Sequence, residues 1–276
     1  MTSPTADPPP APPTGFGHSN RRVAAEIGLI VVGLLVAAGG AIWAAGAASA
    51  SLLPFISNEV DIKIGQAAWA SPEFALKRGE NTGPLEYVEK LAEPLLEQLG
   101  ETPYTFEFQV IDSPEVNAFA LPGGFVTVNM GLLAKATSGE EVAAVLAHEL
   151  QHVMLRHGTR RMVRRMGGLM VMSLIFGGTG IEYPAYLVSE LSHLNYDRNE
   201  ESEADVRGLQ LMASAQFDPI GMKNFFERVA KEAAVTPPAL LSTHPDPGDR
   251  ASRAEQASRS GGPWKPLPAP VDLVCN

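Results

Sequence analysis

The segment "AHELQHVMLRH" carries the clearest chemistry in the chain, because His148, Glu149 and His152 follow the order H-E-x-x-H. Residues four apart share one face of a helix, so both imidazoles can bind the same metal ion. Glu149 lies about 100° further round such a helix than His148, beside the ion, where a base that deprotonates a water belongs. The pattern therefore predicts a zinc site with Glu149 as the catalytic base. A surface helix with two unrelated histidines is the alternative.

A catalytic zinc ion needs a third protein ligand and an open fourth position. A third histidine in the longer pattern H-E-x-x-H-x-x-G-x-x-H is excluded, because Leu155 and Gly158 occupy its glycine and histidine positions. The third ligand must therefore come from another segment of the chain.

The acidic segment "NYDRNEESEADVRG" supplies candidates for that ligand on a predicted helix. Glu201 and Asp205 are four apart and share a face, whereas Glu200 is one step off that face and Glu203 points nearly away. This alignment predicts Glu201 as the third ligand and Asp205 as the acceptor for the N–H of a ligand histidine. An acidic, solvated helix face is the alternative, but it does not explain the alignment with a nearby H-E-x-x-H.

Four motifs stand in a fixed order, since "NAFALPGG" precedes H-E-x-x-H and E-x-E-A-D, and "STHPDPGDR" follows them. This order resembles the zinc metallopeptidase family of the HtpX heat-shock protease, the periplasmic BepA-type proteases and the CAAX prenyl proteases, over about residues 83–256. The resemblance implies a zincin-like metalloprotease domain with one Zn²⁺ per chain. It implies His148, His152 and Glu201 as zinc ligands, Glu149 as the base and Asp205 as the acid that supports a ligand.

The same resemblance implies roles for the two flanking motifs. It assigns "NAFALPGGF" to an edge strand of the active site that pairs with an extended polypeptide substrate. His244 matches a histidine that approaches zinc as an extra ligand or polarises the substrate, and these two roles stay open. Many members have Ser-Arg where this chain has Asp197-Arg198, so the chain departs from them at Asp197. The residues expected to bind substrate are Asn117, Ala118, Phe119, Ala120, Gly123, Gly124 and Arg250.

Three helices are expected to position the metal motifs and their surroundings. Ser138 and Glu141 have the spacing of a capping box and open a helix that is predicted to run to about Met166. A second long helix is predicted over 184–213, and a third starts near Pro219. Before them, the leucine spacing of residues 84–99 predicts an amphipathic helix that Pro94 interrupts.

Two segments predict a small β-sheet. In "YTFEFQVI" the aromatic residues and a valine alternate with polar residues, which indicates a half-buried strand; these residues are Tyr104, Phe106, Phe108 and Val110. The segment "NAFALPGGFVTVNMG" predicts a strand, a Pro-Gly-Gly turn and a second strand. The domain over residues 60–258 is therefore expected to be α+β and mostly helical.

The N-terminal region predicts a membrane anchor. Residues 1–22 form a proline-rich tail that is expected to be disordered. The 22 residues from Ile27 to Ala48 carry no charge, and as a helix they would span about 33 Å, against about 30 Å for a hydrocarbon core. We expect a transmembrane anchor over 23–53. A cleaved signal sequence and a buried core helix are the alternatives.

The charges around this segment predict its orientation. Arg21 and Arg22 precede it, whereas Glu59 and Asp61 follow it. The positive-inside rule then keeps the tail in the cytoplasm and places the catalytic domain outside it, in a single-pass protein of the cell membrane that contacts lipid. The expected function is a membrane-anchored zinc metalloendopeptidase that cleaves extended or misfolded proteins in extracytoplasmic quality control. A non-catalytic tethered chaperone and a prenyl-protein processing protease are the alternatives.

Composition excludes other classes of protein. With 45% hydrophobic and 19% charged residues the chain suits a folded protein, and one cysteine excludes a disulfide framework. A net charge of −10 argues against nucleic acid as a partner. His157 and His193 are expected to be structural, because the first lies off the face of His148 and the second lies far from Glu201. Residues 259–276 are expected to form a flexible tail.

The basic segment "RHGTRRMVRR" and the apolar segment "MGGLMVMSLIFGG" that follows it leave two interpretations open. A basic helix C-terminus followed by a buried core segment is favoured, because the helix dipole stabilises cations there. A lipid-binding surface with an apolar flap that dips into the membrane is the alternative.

Overall fold

The computed structural model describes residues 19–50, 56–71, 82–166, 196–232, 238–246 and 248–270. The chain divides into two compact units, residues 1–48 and residues 49–276. The predicted tail over 1–18, the last residues of the predicted anchor and the apolar segment after Met166 lie outside the described residues.

The first unit contains one long helix, α1, over Ser19–Ala50. Its large apolar side chains between Val23 and Val36 are between 48% and 73% exposed. Among the residues that the structure describes, no helix is both long enough and apolar enough to cross a membrane. The anchor expected over 23–53 therefore stays a prediction.

In the part of the chain that the structure describes, the second unit is mostly helical and has one small sheet, as expected for the α+β class. Its helices are α2 (Asn58–Trp69), α3 (Thr82–Leu99), α4 (Met130–Lys135), α5 (Gly139–Met154), α6 (His157–Met166), α7 (Arg198–Ser214), α8 (Ile220–Glu232), α9 (Ala239–Thr243) and α10 (Arg250–Ser260). Its strands are β1 (Glu107–Ile111), β2 (Ala118–Leu121) and β3 (Phe125–Asn129).

The sheet has the order β1-β3-β2, so β2 lies at an edge. β1 pairs with β3 in parallel, and β2 pairs with β3 as the predicted antiparallel hairpin. The hairpin turns at Gly123 and Gly124, whose φ angles are 86° and 108°. A Cβ atom at Gly123 would lie 2.6 Å from the Cα atom of Ile62, so the turn packs directly against α2.

Helix α5 is buried along nearly its whole length and packs against α3, β2, α7 and α8. Its first turn differs from a full capping box. Ser138 Oγ accepts a hydrogen bond from the N–H of Glu141, but the Glu141 carboxylate accepts from the backbone N–H of Thr137 at 2.8 Å. Burial of one continuous helix at the centre of the domain places its polar side chains where they need specific partners.

The prediction of one helix from Ser138 to Met166 is wrong, because α5 ends at Met154 and α6 begins at His157. Arg156 has a φ angle of 56°, in the left-handed region that residues with a side chain rarely adopt. This conformation breaks the helical repeat and changes the direction of the chain. The contacts that hold Arg156 in this conformation come from a segment distant in sequence, so local spacing does not reveal the break.

The helix that was expected over 184–213 begins at Arg198 instead, as far as the described residues show. Asp197 is its N-cap, and together with Glu200 it forms a complete capping box. Asp197 Oδ1 accepts from the N–H of Glu200 at 3.0 Å, and Glu200 Oε2 accepts from the N–H of Asp197 at 3.3 Å. The departure from Ser-Arg at this position therefore keeps a residue type that caps helices well.

Two smaller predictions also differ from the structure. Helix α3 continues through Pro94 without the expected interruption. Residues 261–270, which were expected to belong to a flexible tail, lie against the domain: the Tyr87 hydroxyl donates to the carbonyl of Pro268 at 2.7 Å, and the Leu267 N–H donates to Glu140 Oε1 at 2.8 Å. These contacts join residues more than 100 positions apart, which composition alone does not indicate. The start of α8 at Ile220 agrees with the prediction.

Two hydrophobic cores support these elements. The larger core surrounds α5 and includes side chains from α3, the sheet, α7 and α8. A smaller core joins α2 to the β2–β3 hairpin, to α6 and to Tyr196. Helix α2 is therefore an integral part of the domain, although it precedes the motifs that the sequence singles out.

Candidate metal centre

Helix α5 brings His148 and His152 together on one buried face. Their Nε2 atoms lie 2.9 Å apart, and both side chains are almost completely inaccessible to solvent. Glu149 is also fully buried, and neither oxygen of its carboxylate has a hydrogen-bond partner among the described residues. A buried carboxylate without partners is costly, so this site fits a bound ion or a water at that carboxylate.

Helix α7 supplies the carboxylate that faces both histidines. Glu201 Oε2 lies 3.4 Å from His148 Nε2, and Glu201 Oε1 lies 3.2 Å from His152 Nε2. Glu200 instead forms an ion pair with Arg164, and Glu203 is 41% exposed at the surface. The structure therefore places Glu201, of the three neighbouring glutamates, at the predicted position.

Close packing of the two helices allows this approach. Gly208 faces α5, and a Cβ atom there would lie 3.3 Å from the backbone nitrogen of His148. One turn before Gly208, Asp205 Oδ1 lies 2.9 Å from His148 Nδ1. This contact holds the proton of His148 on Nδ1 and leaves Nε2 free to bind a metal.

His244 completes the cluster from the residue that follows α9. Its Nδ1 atom lies 3.0 Å from Glu201 Oε1 and 3.2 Å from His148 Nε2. Its Nε2 atom lies 3.4 Å from Glu149 Oε1. The imidazole of His244 therefore lies between the predicted base and the predicted ligands. The backbone of this loop is held by the N–H of Tyr196, which donates to the carbonyl of Thr243 at 3.1 Å.

The four side chains can hold one zinc ion. A ligand atom of each of His148, His152, Glu201 and His244 lies within 4.8 Å of all the others, and all four residues are buried. Imidazole nitrogens and a carboxylate oxygen are the donors that zinc prefers in four-coordinate sites. The donor set, its burial and the partnerless carboxylate of Glu149 all fit this ion.

Burial and the charges around the centre shift the pKa values of Glu149 and Glu201 in opposite directions. Burial raises the pKa of Glu149, which suits a residue that must take up a proton. Burial would also raise the pKa of Glu201, but His244 and His148 hold that pKa below its ordinary value. For His148, burial would lower the pKa, but Glu201 and Asp205 raise it to about 10. Glu201 is thus kept ionised as a ligand, whereas Glu149 is poised to accept a proton.

Arg250 is buried under the metal cluster, with only 2% of its surface exposed. Its Nε atom donates to Asp205 Oδ2 at 2.7 Å, and its Nη2 atom donates to Glu201 Oε2 at 2.8 Å. Its guanidinium group also lies 4.0 Å from the ring centroid of Phe226. Nε and Nη2 of Arg250 thus bind the two carboxylates, whereas Nη1 has no hydrogen-bond partner among the described residues. The substrate contact expected for Arg250 stays a prediction, and the burial of the side chain argues against it.

Residues 84–258, which include the metal cluster, match the model of a known protein family, described as "Peptidase family M48". The chain belongs to peptidase family M48. This result confirms the resemblance that the four motifs indicate, and the family and the cluster together support a zinc metalloendopeptidase.

Curated relatives of the M48 domain carry protease names. A putative beta-barrel assembly-enhancing protease of Vibrio cholerae is 34% identical over 197 residues, which cover 66% of this chain and 41% of that protein. The mitochondrial metalloendopeptidase OMA1 of Schizosaccharomyces pombe is 32% identical over 174 residues, which cover 62% of this chain and 52% of that protein. The chain therefore spans about half the length, or less, of these relatives.

The edge strand of the M48 domain lies beside the metal centre. Asn117 is paired with Asn129 through a hydrogen bond of 3.0 Å from the N–H of Asn129 to the carbonyl of Asn117. Because backbone direction alternates in an antiparallel pair, the N–H and C=O groups of Ala118 and Ala120 face away from β3. The backbone N–H of Ala120 faces the Glu149 carboxylate and lowers its pKa.

The other residues that were expected to bind substrate have different surroundings. Phe119 points to the opposite face of β2 from its neighbours and packs against the smaller core. Gly123 and Gly124 form the hairpin turn, and Gly123 lies against α2. The structure thus leaves the backbone of Ala118 and Ala120 as the part of this segment that faces the centre.

Two residues at the centre were missed by sequence reasoning. The ring of Tyr196 stacks on that of His152, with centroids 3.9 Å apart. His157, which was expected to be structural, has its Nδ1 atom 2.9 Å from His152 Nδ1. The spacing H-x-x-x-x-H between the two histidines is visible in the sequence, but on an unbroken helix it would place His157 about 140° away from His152.

Proposed function

We propose that this chain is a zinc-dependent metalloendopeptidase that hydrolyses peptide bonds in extended or misfolded polypeptides. The observation that carries the proposal is the fully buried carboxylate of Glu149 beside the cluster of His148, His152 and Glu201, since neither of its oxygens makes a hydrogen bond with good geometry among the described residues. A domain that only bound zinc for structural reasons would have no need of a carboxylate in that position. The family and the protease names of the relatives support the same conclusion.

The residues of the centre divide the reaction between them. Zinc held by His148, His152 and Glu201 would polarise the scissile carbonyl and make a water acidic enough to attack it. Glu149 takes a proton from the attacking water and passes it to the nitrogen of the leaving amine, which its raised pKa favours. Asp205 keeps the proton of His148 on Nδ1 throughout, so that this ligand stays oriented.

Substrate orientation is assigned to the edge of β2 that pairs with no other strand among the described residues. An extended polypeptide can add to this edge and form hydrogen bonds with the outward-facing backbone groups of Ala118 and Ala120. Such bonds give affinity without reading side chains, which suits a protease that acts on misfolded chains of varied sequence. The backbone of Ala120 lies close enough to Glu149 to affect the pKa of that carboxyl, which supports a scissile bond next to the base when a substrate strand lies on this edge.

His244 gives the site a closed arrangement. With His244 as a fourth protein ligand, no position is left for the water and the substrate that a catalytic zinc site must accept. We propose that this arrangement is a latent state, in which His244 must move before the substrate binds. Stabilisation of the oxyanion by His244 is the second role, and its Nε2 contact with Glu149 keeps the ring close enough for it.

We also propose that α1 anchors the protein in the cell membrane, with the catalytic domain on the extracytoplasmic side in a quality-control role. The uncharged run over 27–48, the two preceding arginines and the exposed apolar side chains of α1 support this proposal. A topology reporter fused after residue 60 should then be active only outside the cytoplasm, and carbonate extraction should leave the protein in membranes. A mature protein that begins near Ser51 would show a cleaved signal instead.

The proposed reaction is tested by casein proteolysis, combined with measurement of bound zinc, for the wild type and for Glu149→Gln. The wild type should bind one zinc ion and cleave casein, and a chelator should abolish the cleavage. Glu149→Gln should keep the zinc and lose proteolysis by about 10²–10⁴-fold, the range for loss of a general base. Full activity in this variant would refute the mechanism, and a wild type that binds unfolded casein without cleaving it would favour a chaperone. Cleavage of prenylated peptides alone would favour prenyl-protein processing.

A further inference from the structure

The two ligand histidines on α5 are supported by different chemical groups. His148 uses Nε2 towards the cluster and Nδ1 towards the carboxylate of Asp205. His152 also uses Nε2 towards the cluster, but its Nδ1 atom faces the imidazole of His157 at 2.9 Å. Ligand histidines usually donate their second N–H to an acceptor that sets the orientation of the ring. His157 occupies the place of that acceptor.

The hydrogen positions along this contact follow from donor and acceptor counting. A neutral imidazole carries one proton, and His152 must carry it on Nδ1 if Nε2 binds a metal. A short contact between two nitrogens needs one donor and one acceptor, so His157 Nδ1 is the acceptor. The proton of His157 then lies on Nε2, which is 3.4 Å from Glu203 Oε2. A chain from His152 through His157 to Glu203 is the result.

The break between α5 and α6 is what brings His157 to His152. The left-handed conformation of Arg156 turns the chain, and Asp61 on α2 holds that turn from both sides of His157. Arg156 donates to the Asp61 carboxylate through Nε at 2.6 Å and through Nη2 at 3.0 Å. Thr159 Oγ1 donates to Asp61 Oδ1 at 2.8 Å.

Further hydrogen bonds and burial hold the Asp61 carboxylate in place. It is almost completely buried, and the Tyr104 hydroxyl donates to its Oδ2 atom at 2.6 Å. A buried carboxylate with several donors, one of them charged, is held much more firmly than a surface ion pair. Asp61 and α2 precede the range 84–258 that matches the peptidase family, so this support comes from outside the matched range.

We propose that His157 is a positioning residue for the zinc ligand His152, and that Asp61 on α2 holds the turn that presents His157 to it. This inference rests on the metal centre of the proposed function. It adds that a segment before the family range is needed for full metal affinity. The residues that deliver His157 are therefore part of the machinery of the site, although none of them touches the ion.

The first test compares His157→Leu with His157→Asn. Leucine has a similar size but no acceptor, whereas the side-chain oxygen of asparagine can take the position of Nδ1. The readouts are the zinc dissociation constant from competition with a chromophoric chelator, the visible spectrum of the cobalt-substituted protein, and thermal unfolding of the metal-free protein. His18→Leu, the same change far from the domain in sequence, is the control.

His157→Leu should weaken zinc binding by about 10–100-fold and alter the cobalt spectrum, which is the usual scale for losing the partner of a ligand histidine. His157→Asn should restore most of the affinity, and His18→Leu should match the wild type. Wild-type affinity in His157→Leu would overturn the proposal. Equal loss in His157→Leu and His157→Asn, at equal stability of the metal-free proteins, would also overturn it, because the acceptor would then be irrelevant.

The second test asks whether Asp61 acts through His157. Asp61→Asn and the milder Thr159→Val are each combined with His157→Leu, and zinc affinity is measured for the single and double variants. If the two residues act in sequence, the double variant should lose little more than His157→Leu alone. Fully additive losses would refute the role of Asp61, and Thr159→Val keeps the test decisive if Asp61→Asn does not fold.

Both tests measure metal binding without a substrate, so they separate this inference from the proposed reaction. Zinc binding that depends on His157 in a protein that cleaves nothing would refute the proteolytic function and support the inference. Proteolysis with zinc affinity that is indifferent to His157 would do the reverse.

Discussion

The metal centre has two walls that are built in different ways. One wall is the face of α5, where His148, Glu149 and His152 come from five consecutive residues. The opposite wall combines Glu201 of α7 with His244 after α9, which are 43 residues apart in sequence. The first wall takes its geometry from the helical repeat, and the second takes it from the packing of separate elements.

The second wall therefore needs contacts that hold Glu201 and His244 in fixed positions relative to each other. Two residues provide them. Arg250 on α10 binds the carboxylates of Glu201 and Asp205 on α7, and His244 Nδ1 lies 3.0 Å from Glu201 Oε1. The α5 wall has no comparable cation in the described part of the chain and depends on His157 and Asp205 for ring orientation. The comparison shows that side chains on one helix need only partners that orient their rings. Side chains from distant segments also need contacts that hold those segments together.

The largest expected effect is the loss of the carboxylate from the second wall. Glu201→Ala should weaken zinc binding severely, because it removes the one carboxylate from the cluster and leaves only the neutral imidazoles of His148, His152 and His244.

Glu200→Ala and Glu203→Ala are the matched controls and should retain zinc. The buried carboxylate of Glu200 pairs with Arg161, and the partly exposed carboxylate of Glu203 pairs with Arg207. Zinc content after dialysis measures the effect. Loss of zinc from a control variant, with retention in Glu201→Ala, would show that the site uses another glutamate.

The next effect concerns Arg250. Arg250→Met should lower the free energy of unfolding by about 3–5 kcal/mol, because it leaves buried carboxylates without their cation. Arg253→Met, on the same helix, should change it by about 0–1 kcal/mol, because Arg253 pairs with the partly exposed Asp249. Urea unfolding of the metal-free proteins measures both changes. Equal effects of the two substitutions would mean that burial of the Arg250 ion pairs has no special importance.

A smaller effect is expected for the support of His148. Asp205→Ala should weaken zinc binding by about 10–100-fold, because the ring of His148 loses the acceptor that orients it. Chelator competition measures the change. A loss as complete as that of Glu201→Ala would show that Asp205 is itself a ligand, which its contact with Nδ1 rather than Nε2 argues against.

The last effect concerns His244, and its sign distinguishes the two roles that the structure leaves open for this residue. If the closed arrangement is latent, His244→Ala should raise casein cleavage and self-cleavage while zinc stays bound by the other three ligands. If His244 instead stabilises the oxyanion, kcat should fall by about 10²–10³-fold. A variant identical to the wild type in both assays would leave His244 without a role at the metal.

Local sequence patterns were sufficient for much of this protein. The spacing of H-E-x-x-H predicted the α5 wall, because a helical repeat turns a four-residue spacing into a shared face. The same argument selected Glu201 and Asp205 from an acidic run, and the Pro-Gly-Gly turn predicted the hairpin. The extent of the α5 helix was predicted wrongly, since the contacts that end it involve Asp61, about 95 residues earlier.

Only the tertiary structure showed which side chains from distant segments contact the residues of these motifs. It placed the guanidinium group of Arg250 against the carboxylates of Glu201 and Asp205. It also placed the imidazole of His157 next to that of His152. The physical reason is that spacing within a few residues determines which side chains share a face of a helix or strand. Contacts between distant segments follow instead from packing free energy summed over whole cores, which no single motif contains.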